Sequence, residues 1–404
     1  MLSARRVVVG VTGSIAAYKA ADLVSKLTQL GATVDVAMTP AAARFIAPLT
    51  FRALSGRPVA LDPFDVHSEL AVEHVGLAQR AEVMVVAPAS ADAIARLAAG
   101  MANDMVTLTA LATAAPLLIA PAMEEHMHAN AATQANLARL RERGVHVVGP
   151  AEGRLASGAS GTGRMAEVPA LLGAVRWLLG RSGDMAGRRV VVTAGGTREP
   201  IDPVRYVGNR SSGKMGFALA EAARDRGAQV VLVSTVPPPE TAYGIEHVAV
   251  ERAAEMRDAV VAAVSEADAL VMAAAVADFA PAASEQRKIK RGERESLALE
   301  LARTPDVLAE AKASAGPGCL IAGFAAETHE VLEAARSKMV RKGLDLLVVN
   351  DVTAAGSGFG SDTNRVTMLR RDGSEIPLPL LPKYAVAQRI WDEVVALLRE
   401  RGRP

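Results

Sequence analysis

Short, almost unbroken apolar runs alternate with helical repeats along the whole chain, and this alternation narrows the possible folds more than any other feature. The run at 7–11 is dominated by Val and ends at Thr12, Gly13 and Ser14. Behind it Ala20, Leu23, Val24, Leu27 and Leu30 recur at i, i+3, i+4 spacing, a helix that Gly31 stops. Further strand-like runs lie at 33–38, 83–87, 117–120 and 145–148. The second half repeats the pattern. A run at 189–193 ends at Ala194, Gly195, Gly196 and Thr197, and others follow at 230–234, 269–272, 320–322 and 346–349. Helical patterns such as 217–226 and 253–264 separate them. Strands joined through helices pair in parallel by right-handed crossovers. Strands this apolar need cover on both faces of their sheet. The expectation is an α/β chain of two doubly wound, Rossmann-like domains with mostly parallel sheets. One spans 1–180 and the other 187–404, with a short linker at 181–187 and no sequence repeat between them.

Some segments leave the rhythm. The Gly/Ser-rich stretch 153–164 reads equally well as a mobile lid or as an ordinary surface loop. A helix at 169–179 closes the first domain, and one at 384–399 ends the second. The runs 366–370 and 375–378 flank Asp372-Gly373 and predict a hairpin, whose second strand lies at a sheet edge because Pro377 has no N–H to donate. Residues 105–123 carry no charge, but Pro116, Pro121 and many Ala and Thr point to a buried helix and strand rather than a membrane span. Aromatic residues make up only 3% of the 404, so the cores must be built from Ala, Val and Leu. The net charge of +1, with both signs interspersed, argues against nucleic acid or a membrane as the main partner. The single cysteine, Cys319, reads as a core residue and allows no intramolecular disulfide. Residues 1–6 run straight into a strand without a signal pattern, so a reducing, cytoplasmic setting is expected.

In open parallel sheets ligands bind at the carboxyl ends of the strands. There the first half offers Gly13, Ser14, Thr39 and Ser90, small or hydroxylated residues suited to a phosphate at a helix start. The turn Gly10-Val-Thr-Gly-Ser-Ile15 lacks the third glycine of a dinucleotide fingerprint, which favours a mononucleotide over NAD; a plain structural turn is an equal reading. In order along the chain stand Gly10-Val-Thr-Gly-Ser-Ile-Ala-Ala-Tyr-Lys19, Thr39, His74-Val-Gly-Leu-Ala78, Ala87-Pro-Ala-Ser-Ala-Asp92, Ala99-Gly-Met-Ala-Asn-Asp104 and Pro121-Ala-Met123. Over about residues 5–175 this series resembles the flavoprotein cysteine decarboxylases, in the branch acting on 4′-phosphopantothenoylcysteine. The resemblance implies a flavodoxin-like domain that binds FMN through Gly13, Ser14, Thr39 and Ser90, with Met101, Ala102, Asn103 and Asp104 beside flavin and substrate. It makes His74 catalytic, whereas His67, His126, His128 and His146 read as structural. The chemistry it implies is oxidation of the thiol side with FMN to a thioaldehyde, an electron sink that lets CO2 leave.

Two residues depart from that family's pattern. Glu124 stands where an Asn commonly grips the substrate carboxylate, and a second carboxylate there would repel it unless protonated or turned away. Ser157, in Ala156-Ser157-Gly158, replaces a Cys that assists the last reduction, and a hydroxyl is a far weaker acid than a thiol of pKa about 8.5. The flanking Gly161-Thr-Gly-Arg-Met165 is retained. A ligase carrying an inactive flavin-binding domain is therefore the alternative to a fully bifunctional enzyme.

In the second half Thr193-Ala-Gly-Gly-Thr-Arg-Glu-Pro-Ile-Asp-Pro203 leaves a strand, and Asn209-Arg-Ser-Ser-Gly-Lys-Met-Gly216 opens a helix. Ser211, Ser212 and Gly213 suit an anion or simply cap the helix, and the spacing is not that of a P-loop. Ala273-Ala-Ala-Val-Ala-Asp278-Phe279, Lys288-Ile-Lys290, Thr304-Pro-Asp306, Gly323-Phe-Ala-Ala-Glu-Thr328, Lys338, Lys342 and Val349-Asn-Asp351 follow. Over about 187–400 they resemble 4′-phosphopantothenate–cysteine ligase, which in bacteria is fused behind the decarboxylase. The resemblance implies an acyl-cytidylate made from CTP with Mg²⁺, although no residue is singled out as a metal ligand. It puts Asn209 on the acyl-cytidylate and Arg205 among the residues that bind substrate or nucleotide. Met272, Ala273, Ala274, Asp278, Pro305, Asp306, Val307, Leu308, Phe324, Lys338 and Lys342 would hold the nucleotide. Lys288, in the charged segment 284–295, would assist the reaction. It further implies a homo-oligomer, with trimeric contacts at the decarboxylase and dimeric ones at the ligase.

Overall fold

A computed structural model describes residues 2–65, 72–290, 296–327, 331–351, 356, 358 and 360–402. His67, Thr328 and the end of the charged segment, 291–295, lie outside the described residues. The chain divides into two compact units, Met1–Leu179 and Gly180–Pro404.

The first unit begins with β1 (Arg6–Val11), α1 (Ala17–Gln29), β2 (Thr33–Met38), α2 (Pro48–Ser55), β3 (Val59–Ala60) and α3 (Glu73–Arg80). It continues with β4 (Val83–Ala89), α4 (Ala91–Ala99), α5 (Met105–Ala112), β5 (Leu117–Pro121), α6 (Glu125–Ala129), α7 (Ala131–Glu142) and β6 (His146–Val147). A hairpin of β7 (Ala151–Arg154) and β8 (Ser160–Arg164) precedes α8 (Val168–Gly180). Six strands form one parallel sheet in the order β3-β2-β1-β4-β5-β6. Without the two-residue β3, this is the flavodoxin-like order. Every residue of β4 is buried, which is why its sequence shows no polar alternation. On α1 the face Ala20, Leu23, Val24 and Leu27 is buried, as its spacing requires, and Gly31 ends the element at φ +88°. The uncharged 105–123 stretch is the helix α5 followed by the buried strand β5, and among the described residues no helix is long and apolar enough to cross a membrane. His146 meets Trp177 edge-on, a packing role.

The second unit runs β9 (Arg189–Ala194), β10 (Arg198–Pro200), β11 (Tyr206–Gly208), α9 (Lys214–Arg224), β12 (Gln229–Ser234), β13 (Glu246–Ala249) and α10 (Ala253–Val264). Then come β14 (Ala269–Met272), β15 (Phe279–Pro281), β16 (Leu301–Arg303), α11 (Val307–Ser314), β17 (Leu320–Glu327), α12 (Val331–Lys342) and β18 (Leu346–Asp351). It closes with β19 (Thr363–Asn364), β20 (Val366–Arg370), β21 (Glu375–Pro377), β22 (Leu381–Pro382) and α13 (Lys383–Glu400). Its main sheet has the order β13-β12-β9-β14-β17-β18-β20-β21, parallel as far as β18 and antiparallel beyond it. Alternate residues serve opposite layers. Val190 and Val192 join the core under α9 and α13, while Val191 joins the core under α10 and α11. Trp391 of α13 donates its indole N–H to Leu219 O of α9 at 2.9 Å. Pro377 sits on the edge strand, and Gly373 takes φ +90° in the turn before it. Cys319 is buried in the core.

Candidate functional site

In each unit the strand order reverses beside the first strand, and there a buried threonine ties two strand ends together. In the first unit the Thr12 hydroxyl donates to Pro88 O at 2.7 Å and accepts from the Ser90 N–H at 3.0 Å. The ends of β1 and β4 are thereby fixed to each other where the strand order reverses, the place where ligands enter such sheets. Gly13 packs at close quarters against the segment after β2, since a Cβ on it would stand 2.7 Å from Ala41 Cβ. Ser90 caps α4 by accepting from Ala93 N–H, and the Thr39 hydroxyl accepts from Ala42 N–H. Gly13, Ser14, Thr39 and Ser90 thus stand at the carboxyl ends of β1, β2 and β4.

Next to them a cavity of about 480 Å³ opens beneath the β7–β8 hairpin. Ser14, Lys19, Met123, Glu124, Arg154 and Ser157 are among its walls. The hairpin docks through backbone, with Met123 N–H donating to Gly163 O at 2.9 Å, and a Cβ on Gly163 would meet Met123 O at 2.2 Å. The stretch 153–164 is therefore an ordered hairpin over a cavity, with Ser157 exposed in the turn that Gly158 closes at φ +87°. Glu124 caps α6: its carboxylate accepts from His126 N–H at 2.7 Å. At the hairpin base the Lys19 ammonium donates to Met165 O and to Glu167, each at 3.0 Å.

His74 and residues 101–104 do not line this cavity. His74 lies in the first turn of α3 with a buried Nδ1 that has no hydrogen-bond partner among the described residues. Met101 is exposed, the Asn103 side chain accepts from Arg96, and Asp104 forms a capping box at α5 with Thr107.

In the second unit the Thr193 hydroxyl accepts from Ala273 N–H and Ala274 N–H, at 3.1 and 3.0 Å, and the Thr197 hydroxyl accepts from Ala277 N–H at 2.9 Å. Two adjoining cavities, of about 370 and 550 Å³, open there and share Ala274, Val276, Asp278, Phe324 and Lys338. Asn209 lines the first and donates its amide to Val276 O at 3.0 Å. Close packing brings α9 up to this site. Gly213 takes φ +74° before it, and a Cβ on Gly216 would meet Ala194 Cβ at 2.5 Å. Ser211, Ser212 and Lys214 line the same cavity.

Met272, Pro305, Asp306, Val307, Leu308 and Lys342 line the second cavity, and Ala273 lines the first. Asp306 caps α11 and pairs with Lys342. Burial opposes its charge, but the hydrogen bonds from Lys342 and Ala309 N–H outweigh it and hold the carboxyl below the usual carboxylate range. Arg205 and Lys288 lie outside both cavities. Arg205 binds the buried Asp202 and donates to Ile289 O at 2.7 Å, and Ile289 N–H donates to Asp202 at 3.1 Å. The exposed Lys288 is thereby anchored through its neighbour. The Arg205 hydrogen bond, helped by three backbone N–H groups against the effect of burial, holds the Asp202 carboxyl well below its ordinary range.

Lys383, which lines the first cavity, carries no expectation from the sequence. Its buried ammonium donates to Ser361 O, Thr363 O and Asn364 Oδ1. Burial, followed by the charge of Lys214, pushes it below the usual lysine range against the pull of Asp362. A lysine opening a helix looks like any solvated cation in sequence. Lys19, in a mostly apolar helical face, was the more visible signal.

The flavoprotein family model matches residues 1–180, and the DNA/pantothenate metabolism flavoprotein C-terminal domain matches residues 185–398. The coenzyme A biosynthesis bifunctional protein CoaBC of Vibrio cholerae is 44% identical over 390 residues, 96% of this chain and 97% of that protein. CoaBC of Bacillus subtilis is 44% identical over 405 residues, covering 100% of this chain and 99% of its own. The solved C-terminal domain of a CoaBC protein is 39% identical, covers 54% of this chain and all of its own, and superposes with a TM-score of 0.45. The chain belongs to the CoaBC family of bifunctional coenzyme A biosynthesis enzymes, with a flavoprotein decarboxylase domain followed by a ligase domain.

Proposed function

We propose that the second unit joins 4′-phosphopantothenate to cysteine through an acyl-cytidylate made from CTP, and that the first unit decarboxylates the product on FMN to 4′-phosphopantetheine. The observation that carries the reading is that each unit has a cavity beside the reversal of its strand order, lined in the first by Ser14, Glu124 and Ser157 and in the second by Asn209, Asp278, Phe324 and Lys338. The similarity to bifunctional relatives along the full chain favours two working activities over a ligase with an idle flavin domain.

The residues at the ends of β1, β2 and β4 fit a flavin mononucleotide. Gly13 lets the β1 exit pack against Ala41, and Ser14, Thr39 and Ser90 present hydroxyls at element starts. Bound there, FMN would supply the oxidation and its reversal. Of the protein's own groups, Glu124 is occupied by His126 N–H, which turns its charge towards a helix start and relieves the repulsion expected against a substrate carboxylate. Ser157 would meet substrate as a hydrogen-bond donor rather than as an acid. His74 offers an unsatisfied ring nitrogen for proton exchange. Its absence from the cavity lining is what a site completed at a contact between copies would give, in keeping with a homo-oligomer of trimeric decarboxylase and dimeric ligase contacts.

In the ligase site Lys338 and Lys342 would neutralise the triphosphate together with Mg²⁺, and the α9 start at Ser211–Lys214 suits a further phosphate. Among the described residues no cluster of three or more His, Cys, Asp or Glu side chains is placed to hold a metal. Asn209, oriented by Val276 O, would bind the activated acyl group. Lys288 would reach the cleft once Ile289 releases Asp202. We place the enzyme in the cytoplasm. Pyrophosphate release with each nucleoside triphosphate tests the ligase. Release that requires CTP and 4′-phosphopantothenate supports the reading, and release with ATP but not CTP contradicts it.

A further inference from the structure

Three cations line the cavity beneath the β7–β8 hairpin against one carboxylate. The Lys19 side chain is only 7% exposed and commits two of its protons to Met165 O and Glu167. Arg164 shares that same Glu167 carboxylate at 2.8 Å. Glu124 is taken up by His126 N–H. The Arg154 guanidinium has no ion-pair or hydrogen-bond partner among the described residues and stands open at the cavity wall.

The substrate of the decarboxylation carries two anionic groups, and the chemistry decides which of them belongs beside Arg154. The carboxylate loses its charge as CO2 departs. A guanidinium paired with it would stabilise the ground state more than the transition state and so slow the step. The phosphate keeps its charge throughout, so a cation beside it holds substrate and transition state alike. The planar guanidinium also presents two N–H donors at once to phosphate oxygens. Resting on the decarboxylase reading above, we propose that Arg154, supported by Arg164, recognises the terminal phosphate of the substrate and makes this unit selective for the phosphorylated thiol acid over its dephospho counterpart.

The test uses full-length protein loaded with flavin, as wild type and as Arg154→Met, which keeps the stem and removes the charge. Each is given 4′-phosphopantothenoylcysteine and pantothenoylcysteine. The expected result is a KM about tenfold higher for the phosphorylated compound, from loss of a charge-assisted contact. Its kcat stays the same, as do the constants for the dephospho compound and the flavin content. Arg154→Lys recovers part of the loss. Equal losses on both compounds, a fall in kcat alone, no change with either, or loss of flavin all overturn the assignment. Should wild type turn over neither compound, the decarboxylase reading itself fails, and the phosphate site is then decided by calorimetry. A wild-type preference for binding the phosphorylated compound that Arg154→Met abolishes sustains the assignment, and equal affinities dismiss it.

Discussion

Replacing Thr12 by Val removes one hydroxyl and almost nothing else, because the two side chains have nearly the same shape. Thr12 is 1% exposed, and its hydroxyl is the link between the ends of β1 and β4. The substitution strands two groups, Pro88 O and Ser90 N–H. A buried polar group left without its partner costs about 1–3 kcal/mol. Pro88 is buried, whereas Ser90 is only half-buried, so water can replace the lost bond in part. The sum comes to roughly 2–4 kcal/mol. For a unit the size of Met1–Leu179, a loss of about 3 kcal/mol lowers the melting temperature by about 6–12 °C. Thermal unfolding followed by circular dichroism, with flavin retention measured on the same samples, checks this. Thr12→Ser, which restores the hydroxyl, should recover most of the loss. A Thr12→Val protein that melts within about 2 °C of wild type and keeps its flavin would refute the view that this tie builds the site.

Gly13→Ala forces a Cβ to within 2.7 Å of Ala41 Cβ. It should cost about 1–3 kcal/mol and lower the flavin content after gel filtration. Lys342→Met breaks a pair whose side chains are 26% and 47% exposed, so stability should change by less than about 1 kcal/mol. The KM for CTP should nevertheless rise about tenfold in a pyrophosphate assay. Asp202 has a folded pKa below its unfolded value, so its contribution is complete above the ordinary carboxylate range and is lost as pH falls through the folded value. The stability gap between wild type and Asp202→Asn should therefore be constant at neutral pH and shrink only in acid. A gap that instead widens as pH falls would reverse the sign of this argument.

Most strands were readable because their sheets are covered on both faces, which leaves unbroken apolar runs such as β4 and β9. The helices α1 and α10 were readable from their buried spacing. The pieces that escaped are short or polar: the two-residue β3, the edge strand β13, and the hairpins β10–β11 and β15–β16. At 153–164 the sequence left lid and loop open, because Gly, Ser and Arg show no strand pattern; the two strands pair with each other, and Met123 N–H bonds the second through Gly163 O. The family resemblance singled out Ser14, Glu124 and Ser157, and all three line one cavity. It also grouped Asn209, Asp278, Phe324 and Lys338, which line one cleft. The threonine ties were invisible for a simple reason: Thr12 finds its partners 76 and 78 residues away, and nothing local marks a hydroxyl for such a bond.

Both activities of the chain can be followed in one reaction. Purified protein with FMN, Mg²⁺, CTP, cysteine and 4′-phosphopantothenate is analysed by mass spectrometry, alongside a sample given synthetic 4′-phosphopantothenoylcysteine. Two working sites on one chain predict 4′-phosphopantetheine in both samples, with pyrophosphate released only in the first. Accumulation of 4′-phosphopantothenoylcysteine in the first sample and unchanged substrate in the second would contradict a working decarboxylase and leave the ligase alone.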